Sequence, residues 1–376
     1  MTKYKEICLK LFEAEGMEEV KSVIENCELL KNPDNWTPYG EHEGNFSTIQ
    51  NQQPHPVSAL SEKIINSIDA ILIKKCKEKG IDPESKEAPQ SMHDAVKDFF
   101  SLDNNNLEVL TSKDRKEIAK NIQVIVTGSN EIPDITIYDN GEGQEPNKFR
   151  DTFLSLNKGN KNSIYFVQGQ FNMGSTGVIM FCKDPHYQLI ISRKYDDTKK
   201  EYGFTLIRKH FLTLKEKPRK NTWFEYFYPK EIPCFKSEPF NLNLYDKKLF
   251  KRGTVFKLFS YNLKGTTKLY NEFNQLLYRP ALPFLLTERK KHSDNKEALG
   301  VYGNGVRLSD EKDRVEKRYQ IDINFKTIKI DVILLKKQDK PKQQQDTNRI
   351  KDYIGTGRSL VFTVNGQVHA TEKYFF

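Results

Sequence analysis

The chain has 376 residues, 60 of them Lys or Arg and 51 Asp or Glu, and 37% are hydrophobic. With 24 Phe and 17 Tyr this suffices for globular cores and excludes a disordered tail. No stretch approaches the ~20 apolar residues of a membrane helix, the opening MTKYKEICLKLFEAEG lacks the apolar centre of a secretion signal, and the five scattered cysteines (Cys8, Cys27, Cys76, Cys182, Cys234) argue against a disulfide framework or a C-x-x-C zinc site. A protein of the reducing cytoplasm is expected.

Residues 4–30 place Ile7, Leu11, Val20, Val23 and Ile24 at helical spacing around Gly16, which predicts two short helices. Residues 31–56 are rich in Asn, Gln, Gly and Pro and read as an extended arm. Trp36 and Tyr39 in that arm either reach a partner or pack on their own domain. A long helix follows, from Pro56 or Val57 to about Lys79, with Ala59, Leu60, Ile64, Ile65, Ile68, Ile71 and Leu72 forming an apolar stripe and Gly80 stopping it. Residues 81–120 read as a polar insertion with a helix at 91–101.

Two short β-branched strands are predicted next, Gln123–Thr127 and Asp134–Tyr138, the second ending in the turn Asp139-Asn140-Gly141. A short helix around Asn147–Leu156 leads to the flexible stretch LNKGNKNSIYFVQGQ. The apolar run after Gly177, VIMFC, reads as helical. YQLIISRKY, YGFTLIRKH, NTWFEYFYP and RGTVFKLFSYN then alternate as strands of a mixed sheet with helices on one face. The expected class is α+β. Residues 263–376 read as a second α/β unit: a helix at 266–278, two strands in KRYQIDINFKTIKIDVILLKK, a soft Gln-rich loop, and a closing pair of runs about an Asn365-Gly366 turn. No internal repeat is present.

Charge divides the chain. Residues 1–150 carry 18 Lys and Arg against 27 Asp and Glu, whereas residues 151–376 carry 42 against 24. A basic second half can attract polyanions such as nucleic acid; the alternative is an ordinary lysine-rich solvated surface. The seven histidines show no metal-ligand spacing.

Three patches can carry chemistry. In SEKIINSIDA, Glu62 and Asn66 are four residues apart and Asp69 three further on, so all share one helical side. A carboxylate beside an amide oxygen can polarise water and hold magnesium; the alternative is a solvated polar edge. In ITIYDNGEGQ, Asp139 at a strand end followed by Gly141 and Gly143 could accept a hydrogen bond from an exocyclic amine while the glycines admit a flat ring, or could form a plain turn. In VQGQFNMGSTGV, Gly169, Gly174 and Gly177 could expose backbone N–H groups as an anion cradle. The lysine of a P-loop is missing before Ser175-Thr176, so that motif is rejected.

In this order, E-x-x-x-N-x-x-D-A, D-x-G-x-G and G-Q-F-x-x-G-x-x-G, the patches resemble the GHKL ATPase superfamily, which includes DNA gyrase B, MutL proteins, the ninety-kilodalton heat-shock chaperone, MORC ATPases and sensor histidine kinases. Arg252-Gly253-Thr254 resembles the fourth element, so the likeness spans about residues 55–260, and VFTVNGQVHA is similar to a MutL transducer strand. The resemblance implies a Bergerat-type ATP-binding sandwich at 56–262, preceded by N-terminal helices and an arm at 1–55 and followed by a partial transducer-like domain at 263–376. It implies ATP and Mg2+ as ligands, with Glu62 as general base, Asn66 on the metal, Asp69 beside it, Asp139 on the adenine amine with Thr254 in support, and Gly141 and Gly143 lining the adenine pocket. Lys158 stands where related lids carry a phosphate-binding lysine, and Gly169, Gln170, Phe171 and Gly174 would close on the phosphates. The sequence departs from the pattern at Asn172 and in the insertion at 80–120. The implied activity is that of an ATP-gated dimeric clamp on DNA, a homodimer with nucleotide, in a restriction or phage-defence setting with operon-encoded partners. The alternatives are a chaperone- or signalling-type relative with a protein client and a nucleotide-binding module without turnover. Because TEKYFF precedes any crossover helix, the expectation is also of a longer natural form, or of a partner that completes the last domain.

Overall fold

The computed structural model describes residues 3–100, 117–118, 120–129, 132–156, 163–169, 176–217, 221–244 and 247–264, and beyond these only the strands given below. The N-terminal segment forms α1 (Lys3–Glu13), α2 (Gly16–Glu25) and α3 (Glu28–Lys31), then a short strand β1 (Trp36–Pro38) and helix α4 (Asn45–Gln50). The long amphipathic helix is α5 (Pro56–Glu78). Pro56 occupies its first turn, where a missing N–H costs nothing, and the His55 ring accepts the Val57 N–H. Gly80, at φ +75°, ends it in the left-handed conformation that favours glycine. Helix α6 (Met92–Phe100) packs Met92, Ala95 and Val96 into the same core.

Strands β2 (Ile122–Gly128), β3 (Pro133–Asp139), β4 (Gln188–Arg193), β5 (Glu201–Lys209), β6 (Phe224–Phe227) and β7 (Cys234–Lys236) follow, then β8 (Phe240–Asn241), β9 (Leu249–Phe250) and β10 (Gly253–Leu258). Further on lie β11 (Leu285–Lys291), β12 (Glu297–Val301), β13 (Val315–Ile323), β14 (Ile328–Leu335), β15 (Ser359–Val364) and β16 (Gln367–Lys373). A ten-stranded sheet runs β1-β6-β5-β4-β10-β3-β2-β11-β12, with β7 also on β5. Every pairing is antiparallel except β11 with β2. The sheet therefore continues past residue 262, whereas β13–β14 and β15–β16 form separate hairpins. Val364 pairs with Gln367, as the predicted two-residue turn requires. The predicted helix at 266–278 and the Gln-rich loop lie outside the described residues.

β3 and β4 are buried at every position, so the alternation of side chains sends apolar groups to both faces. One face, with Ile135, Ile137, Ile190 and Phe256, packs on α4, α5 and α6. The other, with Leu189, Ile191, Phe204 and Val255, is covered by Ile7, Leu11, Phe12, Val20 and Leu30 of α1–α3. This corrects the expectation of helices on one face: a sheet apolar on both sides needs two covers.

The stretch at 31–56 is folded rather than an extended arm, and of the two readings for Trp36 and Tyr39 the structure has the one in which they pack on their own domain. Trp36 and Tyr39 are buried, β1 pairs with β6, Trp36 Nε1 donates to the Leu30 carbonyl at 2.8 Å and the Tyr39 hydroxyl to the Phe153 carbonyl at 2.5 Å. Around 147–156 the helix is replaced by a 3-10 turn at Pro146–Lys148 and further turns, with the Thr152 and Ser155 hydroxyls bonded back to the Lys148 and Asp151 carbonyls. The run after Gly177 is likewise 3-10, over Gly177–Phe181.

Candidate functional site

Glu62 and Asn66 lie half-buried on one edge of α5, while Asp69 is fully buried. Burial, and then the charge of Asp69, pushes the Glu62 carboxyl above its ordinary value. Asp69 has a structural task as well: its two oxygens accept the Gln168 N–H at 3.0 Å and the Gly169 N–H at 2.8 Å. The backbone at Gly169 comes so close to the helix that a Cβ there would overlap Asn66 Oδ1 and stand 3.0 Å from Asp69 Oδ2. The start of the Gly-rich loop is thus tied to the helix edge that carries Glu62 and Asn66.

Asp139 ends β3 and is buried. Its Oδ1 accepts the Gly141 N–H at 2.9 Å, and its Oδ2 lies 3.4 Å from the Ser67 hydroxyl, which donates to the Lys63 carbonyl at 3.0 Å. Thr254, the second residue of β10, pairs across the sheet with Asp139. Its hydroxyl lies 3.0 Å from that of Ser192, which also donates to the Gly253 carbonyl and accepts the Gln144 N–H. Gly143 and Gly253 have φ of +65° and +92°, and a Cβ on either would overlap a carbonyl oxygen, of Arg193 and Asp139 respectively. Only glycine fits these two positions. Gly141 presents its bare side to Ala70 of α5, so close helix packing accounts for it without a ligand.

Sequence reasoning missed the residues that fasten the D-N-G-E-G turn to α5. Lys74 Nζ donates to the Asn140 carbonyl at 2.9 Å, Lys77 forms an ion pair with Glu142, and the Glu142 N–H donates to the Ala70 carbonyl at 2.9 Å. Ala70, Lys74 and Lys77 follow helical spacing from Asn66, which is the signal that could have found them. Ser67 and Ser192 left no such signal. Lys158, Gln170, Phe171 and Gly174 lie outside the described residues.

Chemically, the α5 edge offers hard oxygen donors: a carboxylate of raised pKa, an amide oxygen and a second carboxylate behind them. Among the described residues no hydrogen-bond donor reaches the Glu62 carboxylate or the Asn66 amide oxygen. This set suits magnesium held mainly by phosphate oxygens and one side chain. It does not suit a cage of protein ligands, and among the described residues no three His, Cys, Asp or Glu side chains cluster as one. No model of a protein family matches the chain, and a search of curated proteins yields no match either.

Proposed function

We propose that the chain binds Mg-ATP in the manner of a GHKL ATPase and hydrolyses it. The observation that carries this reading is that one stretch of α5 is bonded to both other patches, through Ala70 and Lys74 to the turn that follows Asp139 and through Asp69 to Gln168 and Gly169. Along the chain Ser67 is 72 residues from Asp139 and Asp69 is 100 from Gly169, and no plain turn or solvated helix edge requires these patches to meet. Asp139 takes the adenine amine with Thr254 behind it. The Gly169 N–H is already engaged by Asp69, so Gln170, Phe171 and Gly174 are the residues that would supply backbone donors to the phosphates. Asn66 would hold the magnesium ion, which supplies positive charge to the phosphate oxygens. Glu62 accepts a proton from water as that water attacks the terminal phosphorus and the bond to the bridging oxygen breaks. Its raised pKa makes it a stronger base than a solvated glutamate.

At the level of the molecule the reading is a nucleotide-dependent homodimer that clamps DNA, supported by the basic second half of the chain. The test is calorimetric. Asp139→Ala should abolish Mg-ATP binding, because the amine loses its charged acceptor, and Asp139→Asn should weaken it. Glu62→Ala should bind ATP and turn it over about 10²–10⁴-fold more slowly. Unchanged affinity in both Asp139 variants would overturn the site, and an unchanged rate in Glu62→Ala would remove the base.

A further inference from the structure

Beyond the carboxyl end of β3, cations from three separate stretches of the chain gather around two neutral amides. Lys74 of α5 is held with its ammonium on the Asn140 carbonyl at 2.9 Å and on Asn140 Oδ1 at 3.3 Å. Asn140 in turn donates through its backbone to the Asn121 carbonyl at 2.8 Å and through Nδ2 to Asn121 Oδ1 at 2.9 Å, which draws Lys120 to the same rim. From the segment before β10 come Lys248, whose Nζ stands 5.1 Å from the centre of the Tyr138 ring, and Arg252, which reaches the Tyr195 carbonyl at 3.4 Å.

These charges act on one another. Burial, and then Arg252, pushes Lys74 down to about 8; burial, and then Lys120 and Arg252, pushes Lys248 down to about 8. Among the described residues Glu78 stands 3.8 Å from Lys74 and Glu117 2.6 Å from Lys120, and the buried Asp139 directly precedes Asn140. Cations held this close repel one another, and a bound anion would relieve that repulsion. Lys120, Lys248 and Arg252 are each half-buried, with part of the side chain open to solvent. They come from separate stretches of the chain, so one ligand that meets them all must offer several anionic groups, as a chain of phosphates does.

We infer that this rim, built by Lys120, Lys248 and Arg252 around the Lys74–Asn140–Asn121 relay, binds the phosphodiester backbone of duplex DNA without reading its sequence. The inference rests on the DNA part of the proposed function and not on the ATPase part. It places the duplex against the turn that follows Asp139, so that DNA and nucleotide share one structural element.

The experiment measures affinity for a fluorescein-labelled duplex of mixed sequence, without nucleotide, over a series of salt concentrations. Each lysine that contacts a phosphate contributes about 1 to the slope of log affinity against log salt. Lys120→Gln and Lys248→Gln should each lower the slope by about 1, and the pair by about 2. Lys248→Arg should retain it, as should Lys183→Gln on a distant exposed surface, with thermal melts verifying that every variant is folded. A double variant with an unchanged slope in a chain that binds duplex would overturn this surface and leave the DNA reading standing. A wild-type chain that fails to bind duplex even at low salt would overturn both and point to a protein client.

Discussion

At Glu62 two effects act in one direction. Burial disfavours the carboxylate, and the negative charge of Asp69 behind it disfavours it further. The proposed base therefore stays protonated to a higher pH than an exposed glutamate, and turnover should fall on acidification along a limb set by that raised value. Asp69→Asn removes the neighbouring charge and should move this limb to lower pH in the profile of kcat/KM; a limb that stays in place would break the link between the two carboxyls. His210 offers a titration far from the site. Burial opposes its charged form, but Glu225, 2.7 Å from Nδ1, and Glu216, 3.4 Å from Nε2, outweigh burial and raise its pKa. A raised folded-state value means that the stability from this cluster is fully present below the unfolded value of about 6.5 and is lost as pH rises through the folded one. His210→Gln should thus melt below wild type at about pH 5.5, with the gap closing towards about pH 9. A gap independent of pH would show that stacking on Trp223, with ring centres 3.9 Å apart, is the whole of its contribution.

At the scale of elements, the second helical layer depends on one buried cation. An isolated helix of α1's length is marginal in water, so it is docking that sustains it. Lys257 of β10 donates to the carbonyls of Phe12 and Ala14, at 2.5 and 2.7 Å, and so caps the end of α1 from beneath. Two residues further, the Gly16 N–H donates to Asp134 of β3 and the Met17 N–H to Ser260 just after β10. The joint between α1 and α2 is thereby fixed to the same strand pair that holds Asp139 and Thr254. Lys257→Met keeps the bulk but leaves two carbonyls without their donor, a loss of about 1–3 kcal/mol. The urea midpoint should fall accordingly, and a midpoint equal to wild type would mean that apolar packing alone holds α1.

For the whole molecule, the proposed ligand should act as a stabiliser. A nucleotide that binds only the folded chain adds about 2.7 kcal/mol at a hundredfold excess over Kd. Mg-ATP should therefore raise the melting temperature of wild type and leave that of Asp139→Ala unmoved, and light scattering should show a dimer only with nucleotide. A monomer at saturating Mg-ATP would remove the clamp while leaving the nucleotide site intact.

Much of this was legible in the amino acids themselves. The bounds of α5 follow from an apolar stripe between Pro56 and Gly80, because periodicity and helix breakers act over a few residues. The core strands of β2–β6 and β10 follow from alternation or unbroken apolar runs for the same reason. So does the grouping of Glu62, Asn66 and Asp69 on one helical side. Only the tertiary structure decided what those elements meet. It inserted β10 between β4 and β3, which sets Thr254 opposite Asp139. It turned Trp36–Pro38 from an expected arm into an edge strand, and covered the second face of the sheet with α1–α3. It also gave Asp69 two backbone donors nearly a hundred residues away. Strand order and such partnerships arise from complementarity between distant surfaces, which local propensity does not encode.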